Sequence, residues 1–383
     1  MRVLILGARA PACLEWARAF KAAGWNVSVG DSLGQPLSRF SRSVHHFVRL
    51  PEPRLDPAGW IDTLARVIAA QRIDVLLPTC EEVFYLAHGL ERLAPLCRVL
   101  TCDFALLHRL HHKGQFADLI QGWTLSAPET RLLSDRQGVS ALGREAAQWV
   151  FKPAYSRFAS RTLIRPDATQ LRKVKPSLES PWVAQRFIQG REFCSFSVLI
   201  DGQLRAHGVY QPRYRVGRGS GIYFDPATPA PVRRFLEQFG RETGYTGQVG
   251  FDFIEDQDGR FHVLECNPRA TSGVHLFDNQ RQALVNSLGQ ETSRVLEPTQ
   301  EPRMIALAML LLAAPPRALS RTFWRDYRLA RDVIVQQGDV LPLAAQWLSL
   351  GEILCRAASR RCGILAASTA DIEWNGQPLG RAS

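Results

Sequence analysis

The first hundred residues alternate between short apolar runs and segments with helical spacing. Residues 2–6 (RVLIL) form an apolar run, and 11–23 carries apolar side chains at helical intervals until Gly24. The same alternation predicts strands at 25–29, 73–77 and 98–101 and helices at 57–71 and from 83 onward. Strands and helices that alternate in this way predict a parallel α/β sheet.

The loop between the first strand and the first helix reads GARAPA. A dinucleotide-binding loop needs the glycines of a GxGxxG motif, because they let the backbone approach the pyrophosphate. We therefore predict a Rossmann-like domain that binds no dinucleotide. Glu81 and Glu82 follow the strand at 73–77, where open α/β sheets place ligands, but first-turn acids facing a helix dipole explain them equally well.

The central part of the chain changes to strand-like spacing. Residues 182–210 read as three strands, and Asp201-Gly202 between the last two is a strong hairpin signal. Further predicted elements are a helix at 229–243 and strands at 248–254 and 260–266. This succession predicts antiparallel sheets with a packed helix.

Helical spacing predominates after about residue 285, where it more often indicates packing than a cofactor site. The longest apolar run lies there, at 305–314, and is about half the length of a membrane span. We expect it to be a buried helix or strand.

Charge and composition narrow the class of protein. The 383 residues are 46% hydrophobic and 22% charged, as in an ordinary globular protein, and the net charge is +11. The 47 basic residues include only five lysines, and the arginines are spread over the whole chain. A nucleic-acid binder more often concentrates its basic residues on one element. An anionic small-molecule substrate fits as well, although arginines on solvated faces are the simplest explanation.

The cysteines indicate the compartment. None of the eight forms a CxxC pair, and the apolar N-terminal run is too short for a signal peptide. We therefore expect reduced cysteines in a cytoplasmic protein and no zinc site.

The segment FHVLECNPRAT, at 261–271, begins as a buried strand and ends in polar side chains. If Asp258-Gly259 is the centre of an even-length turn, hairpin partners sum to 517, so Asp252 faces Glu265. Facing carboxylates repel each other, and a cation between them would remove the repulsion. Together with the Asn267 oxygen they favour Mg²⁺, with Mn²⁺ as an alternative, and Arg269 can bind an anion at the same place. A solvated hairpin with scattered acids is the competing interpretation.

Two lysines and one turn complete the set of candidates. Lys152 ends the apolar strand WVFK, a suitable place for a contact with phosphate, whereas Lys113 would by itself be a solvated helix residue. In WVAQRFIQGRE, at 182–192, the backbone could bind a base edge while Phe187 or Ile188 packs on its face and Glu192 accepts from a ribose. An ordinary β-turn with an exposed acid explains these last residues equally well.

In their order along the chain, these motifs resemble the ATP-grasp superfamily. The order is Lys113, FKPAY with Lys152, a hinge of the form xxQRFIxGxE, GFDFI with Asp252, and LECNPR. The resemblance covers roughly residues 1–285. It implies that Lys113 and Lys152 contact ATP phosphates, that Gln185, Phe187 and Ile188 frame the adenine, and that Glu192 binds the ribose. It also implies Mg²⁺ on Asp252, Glu265 and Asn267, with Arg269 stabilising the transferred phosphoryl group.

One segment departs from the family pattern. Many members carry a glycine-rich loop after the second lysine that folds over the triphosphate, but here the loop reads AYSRFASRT. Ser156, Ser160 and the backbone could donate hydrogen bonds there, and Arg157 and Arg161 add positive charge.

The predicted fold class combines α/β and α+β structure. It comprises a Rossmann-like domain at 1–110, a two-part ATP-grasp domain at 111–285 and a mostly helical region at 286–383. The resemblance implies an ATP-dependent ligase that activates a small carboxylic acid as an acyl phosphate and joins it to an amine. Arg213, Arg215 and Arg218, in a basic glycine-rich loop, are candidates for binding the acid, although a mobile solvated loop explains them as well.

Other functions stay open. The same site would suit a bicarbonate-activating carboxylase, a carbamoyl-phosphate-synthase-like enzyme or a nucleotide-binding regulatory module without turnover. The sequence pI of 9.6 also leaves a nucleic-acid binder open. The expected partners are small molecules, an acid and an amine, rather than a nucleic acid or a membrane. A homodimer is compatible with the sequence.

Overall fold

The computed structural model describes residues 1–157, 161–217, 219–289 and 294–379. The N-terminal part is a five-stranded parallel sheet in the order β3-β2-β1-β4-β5. Its strands are β1 (Arg2–Leu6), β2 (Asn26–Asp31), β3 (His46–Arg49), β4 (Val75–Leu77) and β5 (Arg98–Val99), and its helices are α1 (Pro11–Ala22), α2 (Pro57–Gln71), α3 (Val83–His88) and α4 (Leu90–Leu93). The predicted Rossmann-like architecture is confirmed.

Two short helices lead from this part to a four-stranded antiparallel sheet, the small sheet. They are α5 (Phe104–His111) and α6 (Lys113–Leu119). The small sheet has the order β6-β9-β7-β8, and its elements are β6 (Thr130–Leu133), α7 (Arg136–Ala141), β7 (Trp149–Pro153), β8 (Leu163–Ile164), α8 (Ala168–Leu171) and β9 (Trp182–Arg186). Trp149, Phe151 and Trp182 form the centre of its own apolar core.

A seven-stranded sheet, the large sheet, follows directly. Its order is β16-β15-β10-β11-β14-β17-β18. Its elements up to residue 289 are β10 (Gly190–Ile200), β11 (Gln203–Pro212), β14 (Tyr223–Ala227), α9 (Ala230–Thr243), β15 (Gly247–Asp256), β16 (Phe261–Asn267) and α10 (Arg281–Asn286), with a small hairpin of β12 (Arg215–Val216) and β13 (Ser220–Gly221). The predicted Asp201-Gly202 turn connects β10 to β11, and both of its residues have positive φ.

The C-terminal part contains helices and two strands that extend the large sheet. Its elements are β17 (Arg303–Met304), α11 (Ala306–Ala308), a π-helical turn (Met309–Ala313), α12 (Arg321–Leu329), β18 (Arg331–Asp332), α13 (Leu341–Arg360) and α14 (Ile364–Ala367). The predicted burial of the apolar run at 305–314 is wrong for Leu310, Leu311 and Leu312, which are exposed. Among the described residues, no helix is both long enough and apolar enough to cross a bilayer.

The segment after α14 returns to the carboxyl edge of the parallel sheet, where a Rossmann domain binds its dinucleotide. Asp371 lies 2.7 Å from the Arg9 guanidinium, and the same guanidinium lies 2.6 Å from Asp31 at the end of β2. Arg356 contacts Asp371 at 3.1 Å. We call Arg9, Asp31, Arg356 and Asp371 the carboxyl-edge cluster. The chain's own C-terminal segment thus occupies this edge.

Candidate active site

A cavity of about 340 Å³ lies between the small and large sheets. The small sheet contributes Val150 and Lys152 on β7 and Gln185 on β9, and the large sheet contributes side chains from β10, β15 and β16. Phe187–Gln189 connect β9 to β10, so a three-residue link joins the sheets beside the cavity. The volume falls in the range of small-molecule sites.

Asp252 and Glu265 face each other across β15 and β16, as predicted, but for a different reason. The turn is odd in length, since the Asp256 amide donates to the Arg260 carbonyl and the pairs next to the turn sum to 516. A bulge at Leu264 then adds one residue to β16 and restores the sum of 517 from Glu265 onward. The predicted even-length turn is wrong, and the bulge compensates for the difference.

The bulge also determines on which face of the large sheet the Glu265 side chain lies. Paired residues share a face and consecutive residues alternate, so Val263 lies on the Phe253 face and Glu265 on the Asp252 face. Val263 is fully buried in the core with Phe253. Strict alternation would put Glu265 on the buried Val263 face, and the bulge instead turns Glu265 from the core into the cavity.

Buried like charges define the electrostatics of the cavity. Burial raises the pKa of Asp252, and the facing Glu265 carboxylate raises it further. Burial would also raise the pKa of Glu265, but the ammonium groups of Lys113 and Lys152 outweigh it and hold that pKa below its usual range. Lys113 Nζ lies 3.1 Å from Glu265 Oε2 and donates to the Ser156 carbonyl at 2.8 Å. We call Lys113, Lys152, Asp252 and Glu265 the cavity cluster.

Lys152 is held by two hydrogen-bond acceptors and one longer ion pair. Its Nζ lies 3.0 Å from Gln185 Oε1, 3.3 Å from the Leu264 carbonyl at the bulge and 4.0 Å from Glu265 Oε2. Burial lowers the pKa of Lys152 to about 8, with Glu265 raising it and Lys113 lowering it. A further anion would therefore stabilise the charged ammonium.

The pairing register extends the row of cavity side chains beyond the predicted residues. Cys194 on β10 faces Asp252, and Tyr210 on β11 faces Cys194, so both lie in line with the two acids and line the cavity. Burial raises the pKa of both Cys194 and Tyr210 well above the usual values. Sequence reasoning missed these residues, although the Asp201-Gly202 turn places Cys194 near Tyr210 once the register is known.

Asn267 and Arg269 extend the site toward the parallel sheet. The Asn267 amide lies 3.5 Å from Asp252 Oδ2, and its oxygen accepts from Arg269 at 3.3 Å. Arg269 Nε lies 2.8 Å from Glu81 Oε1. Burial would raise the pKa of Glu81, but Arg157 and Arg269 outweigh it and hold that pKa well below its usual range. Glu81 is thus linked to the cavity through Arg269, which lines it.

The C-terminal segment reaches the same network. The Arg157 guanidinium donates to Glu81 at 3.0 Å, to Glu373 at 2.7 Å and to the Trp374 carbonyl at 3.1 Å. Trp374 itself packs against Tyr155, with ring centroids 5.4 Å apart. Arg157, predicted to add charge over the phosphates, is instead directed at these acids.

The predicted nucleotide-binding residues lie along one wall of the cavity. Phe187 and Ile188 line it directly, and Glu192 lies at its rim. The Gln185 side chain is buried and donates to Thr130 at 3.1 Å while accepting from Lys152. Gln185 thus fixes the lysine, and only its neighbours present apolar surface to a base.

The three loop arginines do not act together. Arg215 lines the cavity and forms an ion pair with Glu192. Arg213 does not line this cavity and forms ion pairs with Asp225 at 3.2 Å and Asp326 at 3.1 Å, so its contact with the substrate stays a prediction. Arg218 lies outside the described residues, as does Ser160. Arg161 lies over the Trp182 ring at 5.3 Å.

The residues present suit a hard cation. Among the described residues, no cluster of three or more His, Cys, Asp and Glu side chains could hold a metal ion, so the two acids would need other oxygens. The Asn267 oxygen, which here accepts from Arg269, would supply one after the amide turns it toward Asp252, and phosphate oxygens of a ligand would supply the rest. Burial and then the Glu265 carboxylate raise the pKa of Asp252, and a cation between the carboxylates would relieve that repulsion.

The fold is similar to the folds of several solved enzyme structures. N5-carboxyaminoimidazole synthetase from Staphylococcus aureus is similar over 82% of this chain and 84% of its own, with 13% identity and a TM-score of 0.62. L-amino acid ligase from Bacillus licheniformis is similar over 75% and 74%, with 16% identity and a TM-score of 0.58. Comparison of the sequence with family models and with curated proteins gives no match.

A third structure adds ligands to the comparison. The biotin carboxylase domain dimer of Hydrogenobacter thermophilus 2-oxoglutarate carboxylase, in complex with MgADP, ADP and bicarbonate, is similar over 79% of this chain and 73% of its own. The identity is 13% and the TM-score 0.59. These relatives are all ATP-grasp enzymes, and the chain described here has the ATP-grasp fold.

Proposed function

We propose that the protein is an ATP-dependent ligase that activates a small carboxylic acid as an acyl phosphate and joins it to an amine. The observation that carries the proposal is the cavity cluster: Lys152 and the facing carboxylates of Asp252 and Glu265 line one cavity beside an apolar wall, and Lys113 pairs with Glu265 at 3.1 Å. The similarity in fold to nucleotide-bound ATP-grasp enzymes supports the same function.

The nucleotide fits the cavity in one direction. Phe187 and Ile188, on the link between the sheets, and Ile164 on β8 present apolar surface that suits a purine, and Glu192 at the rim suits ribose hydroxyls. Lys152 on β7 and Lys113 both approach the Glu265 carboxylate of the large sheet, where they suit the phosphates. The lowered pKa of Lys152 supports this direction, because a polyphosphate would provide the negative charge that its surroundings lack.

Asp252, Glu265 and the Asn267 oxygen would hold Mg²⁺. When bound, Mg²⁺ neutralises charge on the phosphate oxygens. The lysines add positive charge on the same oxygens, and Arg269, fixed by Glu81, is aimed at the anion that develops beside them. Glu81 is here a positioning residue, because it acts through Arg269.

The chemistry requires no side-chain nucleophile. A carboxylate oxygen of the acid attacks the γ-phosphorus of ATP, and the bond to the β-γ bridging oxygen breaks to release ADP. The amine nitrogen then attacks the acyl carbon, phosphate leaves with the bonding electrons, and the nitrogen loses a proton. Arg215 at the rim is the candidate for holding the acid, and we propose a cytoplasmic location, in keeping with eight free cysteines.

The first experiment measures phosphate release from Mg·ATP with pooled small acids, with and without pooled amino acids, and identifies the nucleotide product. We expect ADP and acid-dependent phosphate, and an amide product only when an amine is present. AMP with pyrophosphate would mean adenylation and contradict the mechanism. Asp258→Asn, in the exposed turn of the same hairpin, is the matched control and should turn over normally.

Bicarbonate is the second candidate for the acid, because a relative of similar fold was solved with bicarbonate and MgADP. It is a carboxylic acid in the chemical sense, and the same attack on ATP would give carboxyphosphate. Phosphate release with bicarbonate alone, but with none of the organic acids, would favour a carboxylase over the ligase.

A further inference from the structure

Exposed apolar side chains are concentrated in one part of the molecule. Fourteen of the twenty large apolar side chains that are exposed among the described residues lie between Leu310 and Leu365. Seven of the fourteen belong to α13 or to Val340 just before it. Exposed apolar side chains concentrated on one helix in this way indicate an interaction site.

One side of α13 is fixed to the N-terminal part of the same chain. Pro342, Ala345 and Ser349 are buried on this side, and the Ser349 hydroxyl donates to the Gln35 carbonyl at 2.5 Å. Glu352 accepts from the amides of residues 34 and 35, at 2.9 and 2.7 Å. The orientation of the helix is therefore set within the chain, and its opposite side faces outward.

The outward side consists of a ridge and a groove. Leu343, Trp347, Leu350 and Leu354 are spaced by four, three and four residues, which aligns them as one exposed ridge, and Trp347 is 55% exposed. Ala344, Gly351 and Ala358 recur every seven residues beside the ridge and form a shallow groove, and all three are exposed. Within this fully described helix, the charged residues are Glu352, Arg356 and Arg360, and the ridge contains none of them.

We propose that this face pairs with the same face of a second copy of the chain. About a two-fold axis near Leu350 and Gly351, antiparallel helices would place Leu350 against Gly351 of the partner subunit and Leu343 against Ala358 of the partner subunit. Trp347 would then meet Leu354 of the partner subunit. Each large side chain on the ridge finds a small residue or an apolar neighbour opposite, so the face is complementary to itself.

The exposed area supports a second copy as the occupant. The chain exposes 17305 Å², whereas a compact monomer of 42.9 kDa is expected to expose about 15,200 Å². The excess over the whole surface is about 2,000 Å², which is enough to include the roughly 800 Å² that each partner of a stable complex buries.

The charges near the helix end argue against an anionic lipid surface. A helix that lies on a membrane usually carries basic residues available to lipid headgroups. Both arginines of α13 are instead paired within the chain, Arg356 with Glu52 at 3.1 Å and Arg360 with Glu52 at 2.6 Å. Arg356 also contacts Asp371 at 3.1 Å and Glu352 at 3.5 Å, so both arginines have acidic partners within the chain.

The test is sedimentation equilibrium of the full chain across the micromolar range. We expect wild type to have twice the mass of 42.9 kDa, and Gly351→Leu to be a monomer at the same concentrations. A Cβ at Gly351 meets no atom within 4 Å, so this variant leaves the monomer undisturbed and only fills the groove. Gly143→Leu, at another glycine with open space, is the matched control and should remain dimeric.

Either of two results would overturn the proposal: a wild-type mass of one chain at every concentration, or a dimeric Gly351→Leu. Monomeric wild type that co-sediments with phosphatidylglycerol vesicles would overturn it in favour of lipid. A second measurement uses Cys355, the exposed cysteine on this helix. Its alkylation should be slower in wild type than in Gly351→Leu, and equal rates would contradict the dimer. Neither measurement depends on the proposed ligase activity.

Discussion

The cavity cluster and the carboxyl-edge cluster each contain two cations and two anions in buried surroundings, yet their arrangements differ. At the carboxyl edge every close contact joins opposite charges, and Arg9 lies between Asp31 and Asp371. In the cavity Asp252 faces Glu265, so two like charges are neighbours. Burial raises the pKa of Asp252 and lowers that of Lys152, whereas Arg9 outweighs burial at Asp371 and holds that pKa well below its usual range.

The contrast teaches that the number of buried charges does not identify a functional site. In a cluster where every charge already has a partner of opposite sign, the ion pairs stabilise the fold. A charged ligand would find no unpaired charge to bind there. A cluster whose pKa values are shifted and which lies beside a cavity has charges that a ligand or cation can still neutralise. Such a cluster is therefore a candidate binding site. Variants in the two clusters should therefore separate activity from stability.

The largest effect is expected for Glu265→Ala in the cavity cluster. Removal of this carboxylate takes away a proposed metal ligand and the partner of both lysines, and turnover should fall at least about 1,000-fold, which is about 4 kcal/mol. Phosphate release measures the effect, with Asp258→Asn as the control. Wild-type turnover in the Glu265→Ala protein would remove the metal site from the mechanism.

Asp371→Asn should give the opposite outcome. It leaves Arg9 without one of its two buried partners, and the free energy of unfolding should fall by about 3 kcal/mol. Turnover per folded molecule should be unchanged. Urea unfolding measures the free energy of unfolding, and phosphate release measures turnover. Asp118→Asn, at an exposed acid, is the control. If Asp371→Asn lowered turnover but not stability, the carboxyl-edge cluster would contribute to activity, which would contradict this prediction.

Glu82 should make stability depend on pH, because burial raises its pKa to about 7 from 4.5. Between pH 4.5 and 7 the folded protein keeps a proton on Glu82 that the unfolded chain has released, so the contribution of Glu82 to stability is fully present below pH 4.5 and is lost as the pH rises to 7. The fall should reach about 3 kcal/mol. Glu82→Gln should abolish the slope in urea unfolding at a series of pH values; an unchanged slope would assign it to other groups.

Lys152→Met should weaken nucleotide binding about 100-fold, or about 3 kcal/mol, because the variant loses the buried ammonium that attracts the phosphates. Isothermal titration with ADP measures the dissociation constant. Lys173→Met, at an exposed lysine, is the control. An unchanged dissociation constant would exclude Lys152 from the phosphate site.

The smallest effect is expected for Glu81→Gln, which tests the link between the cavity and the C-terminal segment. With weaker support for Arg269, kcat should fall about tenfold while KM for ATP is unchanged. The adjacent Glu82→Gln is the control, and its kcat should equal that of wild type. If KM for ATP rises and kcat does not fall, Glu81 acts on nucleotide binding instead of on Arg269.

The sequence predicted local features better than distant contacts. The alternation of strands and helices gave the parallel sheet, and the motif order indicated the fold, which is confirmed. The facing pair Asp252 and Glu265 was predicted correctly from an incorrect turn, because nothing in HVLE announces a bulge. The domain boundaries at 110 and 285 and the residue roles stay predictions.

Contacts between remote segments left no trace in the sequence pattern. Glu81 meets Arg269 and Arg157 only after the parallel sheet, the small sheet and the large sheet have come together. The return of Asp371 to Arg9 joins the two ends of the chain. Such pairs involve common charged residues with no local motif, so spacing rules cannot identify them. Arg213 illustrates the converse, since its basic loop suggested a substrate and its actual partners are Asp225 and Asp326.

The bulge at Leu264 restricts how this hairpin can change length during evolution. An insertion or deletion of one residue in the Gln257–Gly259 turn would shift β16 by one position and direct the Glu265 side chain into the core. Only a second change that removes or creates a bulge would direct the Glu265 side chain into the cavity again. Single indels here should therefore be inactivating, whereas paired ones, one in the turn and one at residue 264, should be tolerated.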